Sequence, residues 1–298
     1  PDGLVGQRVR IPPWRFGVDS QAVGPTLSRT RRTTTRPTEL HWKPMSWLET
    51  LRPTTVDDAW APAIWQTFFT STLGLEVPVL SSLPRHHNLP AAKCGCKKFL
   101  LDTHGDHIST CTAHSGATKA HDWMVGRLGP LFRTAGHRVR TQHGVSTSAE
   151  NRQKRGDVEI LNYLQDAAGS RNLVFDLAVT HDRYGSSAQP HHNGLLTHPQ
   201  DLDAPLHVAA RKKINNYRDQ YANNRNITFM PAITSTSSRM HGEFLRLLFL
   251  QAHRETTAHF TAIGMPAQQH CDSFRFRRAA FYNGLKSKVW LRPRRRQC

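Results

Sequence analysis

Two short runs, VEIL and LVFDLAV, have the composition of β-strands and carry carboxylates among their apolar residues. Asp157 and Glu159 lie in or before the first run, and Asp176 lies in the middle of the second. Burying a carboxylate is costly unless something binds it. The two runs are therefore predicted to be strands whose acids face a cation. For Asp176, the main alternative is a buried ion pair with Arg183 or Arg211.

The residues after 115 alternate between helical and strand periodicity. HDWMVGRLGPLF predicts a helix that Gly129-Pro130 should kink or end. VRTQHGV, DVEIL and NLVFDLAVT predict three strands, and a helix follows over APLHVAARKKINNYRDQYANN, with Asp203 as its expected N-cap. ITFMPAI predicts a fourth strand and RMHGEFLRLLFLQAHRETTAHF a long amphipathic helix. This order predicts an α/β (α+β) fold with a mixed central sheet flanked by helices.

Composition divides the chain into five predicted segments. The first is rich in Pro, Arg and Thr, so disorder or a linker is expected there, and its start at Pro1 suggests a piece of a longer product. A polar stretch over 181–204 is long enough to be functional or mobile. The expected segments are a linker (1–40), a helical segment (41–90), a zinc knuckle (91–114), the α/β domain (115–265) and a basic C-terminal extension (266–298).

Charge predicts a polyanionic partner. Lys and Arg outnumber Asp and Glu by 40 to 22, which gives a formal charge of +18. The basic residues are spread along the chain instead of forming one amphipathic helix, which favours nucleic acid over a membrane surface. In the C-terminal extension, aromatic residues alternate with basic ones, which is typical of nucleic-acid binding or of a helix packed on the core. The expected nucleic-acid contacts are Arg155, Lys212, Arg275, Arg277, Arg278, Lys286 and Lys288.

Three of the five cysteines lie close together in the sequence, beside two histidines. The spacing of four residues can form a tetrahedral Zn²⁺ site: Cys94, Cys96, His107 and, four residues later, Cys111. His104 competes with His107 as the third ligand. Four protein ligands would make the zinc structural. The other interpretation is three unrelated free cysteines. The pattern does not resemble a disulfide framework, so we expect an intracellular, reducing compartment.

The strand acids favour a catalytic metal. If the two strands pair, Asp157 and Asp176 meet at one edge of the sheet, where Mg²⁺ would relieve their repulsion. Glu159 either joins them or forms an ordinary salt bridge with a neighbouring basic residue. Lys213 and Tyr217 are four residues apart in the following helix and share a face. A lysine beside carboxylates and a metal can orient a nucleophile and stabilise transition-state charge.

Taken in order, these features resemble the restriction-like endonuclease of site-specific non-LTR retrotransposons. The resemblance runs from CGC through GDH, HDW, GDVEI and FMPAI to LFLQAHRET, over about residues 90–285. It implies a PD-(D/E)XK nuclease preceded by a CCHC zinc knuckle, and a reverse transcriptase upstream in the full-length product. It also implies a nuclear protein that nicks DNA to expose a 3′-hydroxyl for reverse transcription and that meets element RNA. The alternative is a decayed nuclease that serves as a zinc-containing nucleic-acid-binding module or scaffold.

The resemblance assigns roles to individual residues. The family's two metal-binding aspartates correspond to Asp157 and Asp176, its lysine to Lys213, and a supporting histidine to His121. Its knuckle ligands correspond to Cys94, Cys96, His107 and Cys111.

Two positions depart from the pattern of the family. Gly156 stands where the motif has proline, and Ala178 stands at the strand position where the wider class often keeps its lysine. The spacing between the two aspartates is also longer than usual by about one loop. We therefore expect the catalytic lysine to come from the helix.

Overall fold

A computed structural model describes ten stretches of the chain, and the first segment and most of the helical segment of the sequence lie outside them. The described residues are 61–82, 93–111, 113, 116–144, 155–166, 169–185, 189–192, 194–221, 224–265 and 271–290.

Four strands form one mixed sheet. The sheet order follows the chain order: neighbouring strands are antiparallel from the first to the third, and the fourth lies parallel to the third. This confirms the mixed sheet expected from the sequence. The strands are β1 (Val139–Gly144), β2 (Arg155–Asp166), β3 (Gly169–Thr180) and β4 (Ile227–Ser235).

The register of β2 and β3 brings the strand acids together. Val158 lies opposite Phe175. In an antiparallel pair, continuing this register by one residue places Asp157 opposite Asp176. The register then shifts after Ile160, which leaves the pairing at the acids undisturbed.

Helices cover both faces of the sheet. Four are long: α4 (Gly116–Thr134), α5 (Ala204–Tyr221), α6 (Gly242–Ala262) and α7 (Asp272–Trp290). The other three precede the sheet: α1 (Pro62–Leu73), α2 (Pro78–Ser81) and α3 (Asp106–Thr110). No helix in the described part of the chain is long and apolar enough to cross a membrane.

Side-chain alternation along β3 assigns the helices to their faces, because neighbouring strand residues point in opposite directions. Val174 clusters with Tyr221 of α5, on the face that also carries Asp176. Phe175 points to the other face, where its ring lies 6.0 Å from that of Phe132 in α4. On that side α6 reaches the sheet through Arg254, which donates to the carbonyl of Tyr163. Helix α7 packs on α6 and α4 as an outer layer.

Helix α4 does not end at Gly129-Pro130 but continues to Thr134. A proline inside a helix costs about 3 kcal/mol. Met124, Leu128 and Phe132, spaced four residues apart, are all at most 2% exposed. Their burial holds the helix together across the proline, which sequence periodicity alone did not anticipate.

Candidate functional site

The strand acids form a buried pair. Asp157 is 8% exposed and Asp176 is 3% exposed, and each carboxyl group affects the pKa of the other. One oxygen of Asp157, Oδ2, accepts from the backbone N–H of Leu177 (2.6 Å) and lies 3.0 Å from Nε2 of His121 at the start of α4. The structure therefore brings together three of the residues that the sequence predicted for this site.

Helix α5 supplies the partners of Asp176. Lys213 forms an ion pair with Oδ2, and the hydroxyl of Tyr217 donates to Oδ1 at 3.2 Å. The side chain of Lys213 is 27% exposed. Neither arginine suggested as an alternative partner takes this place: Arg183 donates to the carbonyls of Thr72 and Gly194, and Arg211 is exposed.

The two carboxyl groups have opposite pKa shifts. Burial raises the pKa of Asp176 to about 6 and the charge of Asp157 adds to this effect, although Lys213 acts in the other direction. Burial also opposes ionisation of Asp157, but the hydrogen bonds from His121 and Leu177 outweigh it and lower its pKa. The same hydrogen bond to Asp157 raises the pKa of His121 to about 9. The pair thus has one acid that ionises well below neutral pH and one whose ionisation is shifted towards neutral pH.

Glu159 lies on the same face as Asp157 but has partners of its own. Its Oε1 accepts from Nδ2 of Asn172 at 2.8 Å, and its Oε2 lies 3.7 Å from Arg140. The side chain is only 8% exposed. In this conformation Glu159 is held in a structural hydrogen-bond network beside the aspartate pair.

Gly156 and Ala178 both lie in close contact with neighbouring side chains. A Cβ at Gly156 would lie 2.3 Å from Cγ1 of Val174, so a larger residue at this position requires the Val174 side chain to move. Ala178 packs against an apolar cluster that includes Leu206 and Ile233. A lysine there would have to enter this cluster, whereas Lys213 reaches the acids from the helix.

Tyr221 belongs to the site although its sequence position did not reveal it. Its ring stacks on Phe229 at 4.9 Å, and its hydroxyl lies 3.6 Å from the Cβ position of Gly156. Burial, together with nearby Tyr217 and the strand acids, raises its pKa. The hydroxyl is buried and has no hydrogen-bond partner among the described residues. The available signal was its spacing of four residues from Tyr217, on the same side of α5.

The cysteine cluster has the geometry of a metal site. The ligand atoms of Cys94, Cys96, His107 and Cys111 all lie within 4.8 Å of one another. Sγ of Cys94 and Sγ of Cys111 are 3.8 Å apart, and Sγ of Cys96 lies 3.3 Å from Nε2 of His107. Tetrahedral Zn–S bonds of about 2.3 Å imply sulfur–sulfur distances of about 3.8 Å. The cluster can therefore hold a metal ion such as zinc, with His107 in place of the competing His104.

Local backbone structure holds these ligands in position. The N–H of Cys94 donates to the carbonyl of Phe99, closing a tight turn in which Lys97 has a positive φ of 62°. Backbone N–H groups, chiefly that of Lys98, lower the pKa of the Cys96 thiol to about 6. A thiol that ionises this readily is suited to metal binding, since the thiolate is the ligand form.

The knuckle is joined to the sheet by a buried carboxylate. Asp106 in α3 is 1% exposed. Its Oδ1 lies 3.0 Å from Nε2 of His181, directly after β3, and its Oδ2 accepts from the N–H of Gly194 at 2.8 Å. Nδ1 of His181 lies 2.7 Å from Oγ1 of Thr236, directly after β4. The polar segment after β3 thus packs between the knuckle and the end of the sheet.

The predicted nucleic-acid contacts are distributed over two helices. Lys212 is exposed on α5 next to Lys213. Arg155 begins β2, and its side chain lies outside the part of the chain that the structure describes. On α7, Arg278 lies 4.7 Å above the ring of Phe249 and is half-buried. Lys286 is also predicted as a contact; it is 4% exposed, and its ammonium lies 4.5 Å from the centroid of the Tyr282 ring. The accessible basic residues of α7 are Arg275, Arg277 and Lys288.

No family model matches the sequence, and no curated protein matches it significantly.

Proposed function

We propose that this chain is a metal-dependent DNA endonuclease of the PD-(D/E)XK type, from a reverse-transcriptase-encoding mobile element. The observation that carries the proposal is the buried Asp157–Asp176 pair with Lys213 beside it. Two acids side by side in a buried site provide hard oxygen ligands of the kind that Mg²⁺ prefers. A lysine at the same place supports phosphodiester chemistry over purely structural pairing.

Each residue of the site has a distinct proposed role. Asp157 and Asp176 would hold Mg²⁺, which when bound supplies Lewis-acid stabilisation of charge on the phosphodiester. Lys213 would orient the attacking water and stabilise negative charge on the phosphate. Tyr217 fixes Asp176, and His121 fixes Asp157, through the hydrogen bonds described above.

The proposed reaction is hydrolysis of one DNA strand. Water oxygen bonds to phosphorus, the bond from phosphorus to the 3′-oxygen breaks, and that oxygen takes a proton. The products are a 3′-hydroxyl and a 5′-phosphate. The arrangement of β3, α5 and β4, in which a helix connects two parallel strands beside an antiparallel pair, supports a restriction-endonuclease-like core.

We further assign the metal of the knuckle as structural zinc. Three thiols and one imidazole are a donor set typical of zinc, and four protein ligands complete a tetrahedron. The proposed partners are target DNA, element RNA and an upstream reverse transcriptase domain, which implies a nuclear location.

A nucleic-acid-binding module without cleavage is the second candidate. It is favoured by the fact that both acids already have partners from the chain itself, His121 for one and Lys213 for the other. A site paired in this way is stable without Mg²⁺. A cleavage assay distinguishes the two candidates.

The test is nicking of supercoiled plasmid by the zinc-loaded chain, with Mg²⁺ supplied and with Mg²⁺ omitted. We expect nicking that needs Mg²⁺ and falls at least 100-fold in Asp176→Asn, on the order of the effect of losing a positioned catalytic group. Asp272→Asn is the matched control, because this acid is almost fully exposed on α7. Equal nicking by wild type and Asp176→Asn would exclude the catalytic assignment, and no nicking by wild type would favour the binding module.

A further inference from the structure

Phe276 on α7 is the most exposed of the large hydrophobic side chains in the described part of the chain, at 79%. The next most exposed, Val79, is at 63%. Because the ring is largely accessible to solvent, it is available to stack on a planar group of another molecule.

The neighbours of Phe276 are cationic. Arg275 and Arg277 flank it in the sequence, and both are exposed. Arg275 has its guanidinium 3.7 Å from Asp272, and Arg277 lies 3.0 Å from Nε2 of His259, so both side chains are held near the helix surface. An aromatic ring between two such cations matches a base flanked by two phosphates.

The surface one helical turn from Phe276 is shallow. Ala279 and Ala280 are exposed and small, and a Cβ at Gly284 would meet no atom within 4 Å. A planar ligand can therefore approach the phenyl ring without displacing a side chain of α7.

This surface lies away from the strand acids. Helix α7 packs on α6 and α4, which cover the sheet face opposite α5. Lys213 and Tyr217 approach Asp176 from α5 on the other face. A nucleic-acid strand on α7 is therefore bound at a site separate from the proposed cleavage site.

We propose that Phe276, Arg275 and Arg277 form a second nucleic-acid site that binds single-stranded DNA or RNA by stacking one base on Phe276. A duplex presents no free base face to a single exposed ring, whereas an unpaired base does. A protein partner fits this surface less well, because the apolar part is one ring surrounded by charge instead of a contiguous apolar patch. The excess of basic residues in the whole chain, +18, complements a polyphosphate.

The test is fluorescence anisotropy of the full, zinc-loaded chain with labelled 12-nucleotide single strands, in EDTA-free buffer without Mg²⁺. We expect Phe276→Ala to weaken binding about 10-fold, while Leu195→Ala, a change at another exposed apolar residue (51%), leaves it unchanged. The double change of Arg275 and Arg277 to Ala should lower the slope of log affinity against log salt by about 1.4. Because Phe276 makes little contact with the fold, its variant should keep the wild-type melting temperature.

Three results would each overturn the proposal. The first is equal binding of the single strand by wild type and Phe276→Ala, and the second is a blunt duplex of the same length that competes as well as the unlabelled single strand. The third is displacement of the labelled strand by poly-glutamate as effectively as by the unlabelled strand. The last result would indicate an acidic protein partner. Plasmid nicking by the wild-type chain is measured in parallel, as a separate readout of the proposed cleavage site. A failure of cleavage therefore leaves the binding result interpretable, and a failure of binding leaves the cleavage result interpretable.

Discussion

Removing the Asp106 carboxylate should destabilise the whole domain, although this residue is neither a zinc ligand nor part of the aspartate pair. Asp106→Ala leaves the N–H of Gly194 and the imidazole of His181 without their acceptor. The carboxylate is 1% exposed, so water cannot take its place unless the segment after β3 moves away.

The magnitude follows from the two lost contacts. A hydrogen bond to a charged group contributes about 1.5–3 kcal/mol, and the substitution removes two such bonds. The variant no longer has the free-energy cost of burying the carboxylate, which offsets part of the loss of the two hydrogen bonds. We expect a net loss of about 3 kcal/mol in the free energy of unfolding. For a protein whose total stability is about 5–15 kcal/mol, that is a large fraction.

The assay is urea unfolding of the zinc-loaded protein, together with hydrogen exchange of the segments 181–185 and 194–197. Asp106→Asn is the informative second variant, since its amide oxygen can still accept the hydrogen bond from the N–H of Gly194. It should lose less stability than Asp106→Ala. Asp272→Ala, at an exposed acid, should stay within about 0.5 kcal/mol of wild type. If Asp106→Ala also stayed within that range, the knuckle would not be an integral part of the domain.

Three further predictions concern the sites separately. His121→Gln should lower the free energy of unfolding by about 1–2 kcal/mol near pH 6, after allowance for solvent screening of a partly exposed ring. Because the pKa of His121 is raised to about 9 from 6.5 by Asp157, this stabilisation is complete below pH 6.5 and is lost as the pH rises through 9, which a pH series of urea titrations measures. Gly156→Ala should lower the free energy of unfolding by about 1–3 kcal/mol, because its Cβ overlaps with Val174. Adding Val174→Ala to this variant should recover part of the loss. If urea titrations showed that the two losses simply add, the contact would be contradicted. Cys111→Ser should lose stoichiometric zinc in elemental analysis and increase hydrogen exchange after β3, whereas full zinc retention would remove Cys111 from the ligand set.

The sequence predicted those features that depend on short-range spacing or strand composition. The knuckle ligands follow from their positions along the chain, and the pairing of Asp157 with Asp176 follows from two adjacent strands that each carry an acid. Lys213 and Tyr217 follow from helical periodicity once the strands are assigned. Each of these patterns is local, so a single sequence contains it.

Features that depend on contacts between distant segments were not predictable in the same way. The need for glycine at 156 comes from Val174 on the next strand. The burial of Lys286 comes from the packing of α7, and a sequence shows only that the residue is basic. Helix α4 continues past Pro130 because its apolar face is buried by the sheet, a tertiary effect that outweighs local propensity. Asp106 gave no sequence signal, since its partners lie 75 and 88 residues away.

The most direct test of the proposed metal site is a measurement of Mn²⁺ binding by electron paramagnetic resonance. It uses the zinc-loaded chain with and without duplex DNA. Mn²⁺ takes the same oxygen ligands as Mg²⁺ and gives a signal when free. We predict one bound Mn²⁺ per chain in wild type with DNA present, and no specific binding at the same concentrations when Asp157 and Asp176 are both changed to Asn. Equal Mn²⁺ binding by the double variant and wild type would contradict a shared metal at this carboxylate pair.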